Sequence, residues 1–129
     1  HWVLPKHLDA NKKPVDLVNP AGAAKVGYPF SLQAAGNGTL PGNPDQQLYA
    51  VKRSADNLTV EFEFSDGTLY SRKTFRFSPN RYLVEVLSEL RQGASTVPHY
   101  LTWRGGFGDF TAVNALATQH TLYFDSSAN

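Results

Sequence analysis

Four histidines, eleven carboxylates and no cysteine are the side chains from which this 129-residue chain could build a reactive or metal-binding site. The histidines are His1, His7, His99 and His120. No two of them stand two or four residues apart, and no carboxylate cluster lies beside them, so the spacing that puts two imidazoles on one metal is missing. The expectation is surface or hydrogen-bonded histidine, with no metal and no cofactor. A serine nucleophile lacks its usual local signature, since there is no Gly-x-Ser-x-Gly elbow. A hydrolase would therefore need a nucleophile and a base brought into hydrogen-bond reach by the fold. Glu61, Glu63, Glu85 and Glu89 alternate with apolar residues, which reads as a solvated sheet face rather than a glycosidase pair. Gly105-Gly-Phe-Gly108 has neither the Gly-Lys-Ser/Thr ending of a phosphate loop nor the Gly-x-Gly-x-x-Gly of a dinucleotide site, so it reads as a tight, bulged connection. Asn37-Gly-Thr39 and Asn57-Leu-Thr59 match the glycosylation sequon, a pattern common by chance.

One group points to binding. Trp103, Arg104, Phe107, Asp109 and Phe110 gather aromatics, a cation and a carboxylate around a glycine-rich bend. Such a set can line a groove for a peptide or a sugar. The competing expectation is that Trp103 and Phe107 fill the core while Arg104 pairs with Asp109.

The element that must position everything else runs from Asn57 to Leu90. Leu58, Val60, Phe62 and Phe64 share one parity, and Thr59, Glu61 and Glu63 the other, so a strand here is apolar on one face and charged on the opposite one. Asp66-Gly67 is a hairpin signal, read as a type I′ turn in which glycine supplies positive φ. Phe75 and Phe77 alternate with Thr74 and Arg76 on the return strand, and Pro79-Asn80 makes a second turn. Tyr82, Val84 and Val86 then face one way, with Glu85 and Glu89 the other. The result is a three-stranded meander whose dry face requires a second layer.

Shorter strands are expected around it: Trp2 to Pro5, Val15 to Val18, Tyr28 to Leu32, Leu48 to Lys52, Pro98 to Arg104 and His120 to Phe124. Lys6 to Pro14 reads as polar turn and Gln33 to Gln47 as loop. Ala21 to Ala24 could open a helical turn, weakened by Gly22 and Gly27. Arg91 to Val97 turns around Gly93. Short strands punctuated by Gly and Pro predict an all-β, antiparallel sandwich.

Composition sets the outer limits. The length suits one domain, residues 1–129, able to bury a core without disulfides. A formal net charge of +1 with mixed signs gives no case for nucleic acid as a partner. No window reaches the roughly 18 apolar residues of a membrane span, and no signal peptide is visible. With no methionine and His1 at its start, the chain reads as a piece excised from something longer.

The chain also resembles a known family, the large periplasmic domain of the bacterial YidC membrane-protein insertases. The resemblance rests on Leu4-Pro5 with the Pro14-Val-Asp-Leu-Val18 run, Gly27-Tyr-Pro-Phe-Ser-Leu32, and Leu58 to Phe64. It continues through Arg72-Lys-Thr-Phe-Arg-Phe77, Tyr82-Leu-Val-Glu-Val86 and Val97-Pro-His-Tyr-Leu-Thr-Trp-Arg-Gly-Gly-Phe-Gly-Asp109. Order and spacing together cover nearly the whole chain. The resemblance implies a β-supersandwich, similar to the sugar mutarotase fold, of which this chain would be the N-terminal part. It implies a place between the first two transmembrane helices of a multi-pass parent, on the periplasmic face of the inner membrane. Its partners would be Sec translocon components and nascent membrane proteins, reached through the parent. The insertase groove itself lies in the membrane core, outside this sequence, so no insertase residue carries over. Mutarotase activity is not expected either: His99 and His120 stand in no motif of that kind, and fold does not imply function.

These readings converge on a non-enzymatic accessory module with a docking or peptide-contacting surface. The alternative is a carbohydrate-binding or mutarotase-like domain that stacks a sugar on Trp103.

Overall fold

The computed structural model describes residues 2–9 and 11–104. They form an antiparallel β-sandwich fold, as the alternation predicts, with one short α-helix and a 3₁₀ turn at Pro44–Gln46. The described residues group into two compact units, one spanning Phe30–Thr102 and one containing the residues up to Pro29 together with Trp103 and Arg104.

In the N-terminal unit, β1 (Val3–Leu8) pairs antiparallel with β2 (Pro14–Asp16), with an irregularity between Leu4 and Leu8. The strand thus runs through Lys6 to Leu8, where composition predicted a turn. The turn is confined to the residues around Asp9, whose side chain accepts from the N–H groups of Asn11 and Lys13. Helix α1 (Pro20–Val26) starts where Asn19 Oδ1 accepts the Gly22 N–H and Pro20 supplies a preset φ. It stops at Gly27, which takes φ 105° while its N–H closes on the Ala23 carbonyl. Proline and asparagine at the start and glycine at the end outweigh the cost of Gly22 inside.

The second unit holds a five-stranded sheet in the order β4-β5-β6-β7-β8. Its strands are β4 (Ala50–Arg53), β5 (Thr59–Ser65), β6 (Leu69–Phe77), β7 (Val84–Gln92) and β8 (Ser95–Thr96). The predicted meander is therefore its centre, extended by one strand on each side. Val60↔Phe75↔Val86 and Phe64↔Ser71↔Leu90 stand in register, so the predicted apolar parity continues across three strands. A ribbon of β3 (Ser31–Ala34) and β9 (His99–Thr102) supplies the second layer. Leu32 from it joins Leu69 and Leu90 in the core, with Leu101, Leu40, Val97 and Phe64 packed around them. The Phe30 ring meets Phe75 edge-on at 5.0 Å, and Phe62 meets Phe75 at 5.8 Å.

Three local readings shift. In the β5–β6 turn only Gly67 has positive φ (90°), and neither Asp66 nor Thr68 does, so the turn is not type I′, which requires positive φ at both central residues. Asp66 Oδ1 accepts the N–H groups of Thr68 and Leu69, which locks that turn from within. Tyr82 precedes β7 and is 61% exposed, so it belongs to the β6–β7 loop and not to the inner face. Finally, β3 begins at Ser31 rather than Tyr28, because Phe30 adopts φ 62°, which breaks the extended run. The strand predicted at His120 to Phe124 lies outside the described residues.

Candidate functional site

The outer face of the sheet is set by register. Glu61, Arg72 and Glu89 lie at one level or its diagonal on β5, β6 and β7, and Arg72 reaches both carboxylates, Glu89 at 2.8 Å and Glu61 at 3.9 Å. Arg91 Nε lies 2.9 Å from the other Glu89 oxygen, and its guanidinium stacks 4.4 Å from the Tyr70 ring centre. Arg76 pairs with Glu85 at 2.9 Å and Lys52 with Glu63 at 3.6 Å. All four glutamates singled out by alternation are on this face. Each is neutralised by a neighbouring cation, which suits a solvated, salt-laced surface and not an acid–base pair.

On the inner face of the sheet, Lys73, Ser71 and Ser88 make three polar contacts. Lys73 sits on the apolar parity of β6, opposite Phe62, and its ammonium donates to the Phe30 carbonyl at 2.9 Å and to Asp45 Oδ1 at 3.1 Å. Asp45 also accepts the Leu32 N–H. The Tyr49 hydroxyl lies 2.8 Å from Ser71 Oγ and 3.1 Å from the Pro44 carbonyl. Burial, helped by the Asp45 charge and opposed by the Ser71 hydrogen bond, raises the Tyr49 pKa above 10.0.

The third contact is one that reading the sequence missed. Ser88 Oγ lies 2.9 Å from His99 Nε2, and His99 Nδ1 lies 2.7 Å from the Val97 carbonyl. A carbonyl only accepts, so in the neutral ring Nδ1 carries the proton and Nε2 accepts from Ser88. This satisfies the distance required of a nucleophile and base. The orienting partner is a backbone carbonyl, however, and both side chains are on facing layers of the sandwich, Ser88 opposite Lys73 on the inner parity of β7. A neutral carbonyl stabilises an imidazolium far less than a carboxylate would. No local motif could have revealed the pair; only the inward parity of Ser88 hinted at a partner on the inner side of the sheet.

Of the residues picked out for binding, Trp103 is half-buried and Arg104 exposed. The Trp103 ring lies 6.3 Å from that of Trp2, tilted by 60°. Phe107, Asp109 and Phe110 lie outside the described residues, so the proposed group is seen only in its first two members. Among the described residues no group of three or more His, Cys, Asp or Glu could hold a metal ion, and no helix is long and apolar enough to cross a membrane.

The open feature is the edge of the sheet. β4 is the last strand in its order and pairs only with β5 among the described residues. All four of its residues are exposed, Val51 by 59%, and Leu48 just before it by 93%. At the opposite end β8 is only two residues long, which leaves little edge to pair with.

No curated protein and no solved structure matches the chain. The family model of the YidC periplasmic domain matches residues 1–104, which includes both described units and every contact above. The chain belongs to the YidC periplasmic domain family, part of a membrane-protein insertase, and that membership implies a periplasmic location.

Proposed function

We propose that this chain is a non-enzymatic accessory module of an insertase, a β-sandwich that offers a docking surface to extended protein segments at the periplasmic face of the inner membrane. The observation that carries this reading is the β4 edge, which pairs only with β5 among the described residues, with Leu48 and Val51 exposed along it. An extended segment can add to such an edge through main-chain hydrogen bonds, which needs no preformed pocket. Segments of membrane proteins in transit, or a component of the Sec machinery, are the partners that family membership suggests. Photo-crosslinkers at Leu48, Val51 and Arg53 of the intact parent should capture polypeptide. Failure at all three positions overturns the reading.

The Ser88–His99 contact favours a second reading, a hydrolase. It is tested by labelling with a fluorophosphonate, and our reading expects no label. The sugar-binding reading, built on Trp103 and Arg104 with Phe107 and Asp109, is tested by saccharide titration with Trp103→Ala as the control.

A further inference from the structure

We propose that the β4 edge selects extended segments carrying two consecutive acidic residues followed by an apolar one; this rests on the docking reading above and names its partner by chemistry. Val51 stands opposite Phe62 and Arg53 opposite Val60, so both side chains lie on the inner, apolar parity of the sheet. Lys52 stands opposite Glu61 and lies on the outer parity. Every strand pair among the described residues is antiparallel, which fixes the favoured direction of an added strand. Read from its N-terminus, such a strand meets Arg53, then Lys52, then Val51. Cross-strand neighbours interact directly, so the complementary sequence is acidic, acidic, apolar.

The charges at the edge are available for this. Arg53 makes no ion pair among the described residues. Lys52 makes one long pair with Glu63, at 3.6 Å, with its side chain 65% exposed, which costs little to exchange. The same two cations argue against a second copy as the occupant. Antiparallel pairing of β4 with itself would line four positive charges along one seam, the device by which natural edges repel one another. Lys52 and Arg53 therefore both close the edge to its own kind and open it to acidic segments.

The test is fluorescence anisotropy of the whole chain with three labelled peptides in which Thr-Thr-x-x-Val-Thr-Thr carries Glu-Glu, Lys-Lys or Glu-Pro at the variable positions. The Glu-Glu peptide should bind at least about tenfold more tightly than the Lys-Lys peptide, a difference of about 1.4 kcal/mol. The Glu-Pro peptide, which loses a backbone donor, should also bind more weakly. The double variant Lys52→Glu/Arg53→Glu should reverse the order of the Glu-Glu and Lys-Lys peptides. That swap is a gain of binding, which a misfolded variant cannot imitate. Equal binding of the Glu-Glu and Lys-Lys peptides overturns the acidic preference but leaves the docking reading standing. Binding of neither peptide, together with empty crosslinks from the parent, overturns both. Concentration-dependent dimerisation that slows amide exchange in β4 without peptide would make a second copy the occupant and overturn the inference.

Discussion

Lys73 Nζ lies 3.1 Å from Asp45 Oδ1 across a sequence separation of 28, and the pair ties the sheet to the segment that leads into it. The ammonium stands where the alternation calls for an apolar side chain, between Phe62 on β5 and Ser88 on β7. Its side chain is 14% exposed, so the charge is tolerated because Asp45 and the Phe30 carbonyl replace water.

Removing one partner should cost more than removing both. Asp45→Ala leaves the Lys73 ammonium with the Phe30 carbonyl but no counter-charge, takes the carboxylate acceptor from the Leu32 N–H, and is expected to lower stability by about 2 kcal/mol. Lys73→Met in the same chain should recover part of that loss. Urea denaturation of the two single variants and the double variant measures the coupling, and simple additivity would show that the pair does not act as a unit.

The phenylalanine cluster should be graded by burial. Phe75 is 8% exposed and touches both Phe30 and Phe62, so Phe75→Ala should cost about 3–5 kcal/mol. Phe62, only half-buried, should cost about 2–3 kcal/mol when cut to alanine. Equal losses, or a larger loss at Phe62, would mean that the cluster is not centred on Phe75.

Two glycines separate backbone strain from crowding. Gly67 has φ 90° and open space where a Cβ would stand, whereas at Gly42, with φ 60°, a Cβ would meet Leu69 Cδ2 at 2.9 Å. Gly67→Ala should cost about 1 kcal/mol from conformation alone. Gly42→Ala should cost more, because buried Leu69 must also move. Thermal denaturation ranks the two, and the reverse order would contradict this assignment.

Acid should weaken two turns by a defined route. Donation from the Leu69 N–H, and next from Thr68, lowers the Asp66 pKa below 3.8, and the Ser54 hydroxyl, followed by the Leu58 N–H, does the same for Asp56. Both carboxyls have a lower pKa folded than unfolded. Their contribution is therefore complete above the unfolded value of 3.8 and is lost as pH falls through the lower folded values. Asp56→Asn/Asp66→Asn keeps an acceptor oxygen without a titrating proton. Between about pH 5 and pH 2 this variant should lose less stability than the parent chain, and parallel curves would contradict the assignment.

Ser88 should remain unreactive. His99 orients on a carbonyl, and both side chains are placed on facing layers, so a fluorophosphonate should leave Ser88 unlabelled in the folded chain. His99→Ala should lower stability by about 1 kcal/mol, the order of one lost hydrogen bond. Stoichiometric labelling that His99→Ala abolishes would convert the contact into a catalytic pair.

The sheet was legible in the sequence because its physics is local. Period-two alternation from Leu58 to Phe64 and glycine at position 67 each act within a few residues, and the structure keeps both the parity and the turn. The helix was half legible: Asn19-Pro20 and Gly27 mark its ends, yet Gly22 inside obscured it. What stayed hidden depends on pairing between distant segments. The partnership of β3 with β9 joins residues about 70 positions apart, as in Ser31↔Thr102, and no local pattern encodes it. Lys73 broke the alternation visibly, but its partner Asp45 sits in a stretch rich in proline and glycine that read only as loop. The binding group at Trp103 and Arg104 was chosen by residue type, a criterion that cannot tell a groove from the tilted packing of Trp103 on Trp2.

The most direct test of the docking account is amide hydrogen exchange of this chain with and without an unfolded, acidic polypeptide. Slower exchange confined to Ala50 to Arg53, with β7 and β8 unchanged, is the predicted result. No change at β4, or protection centred instead on Trp103, would contradict it.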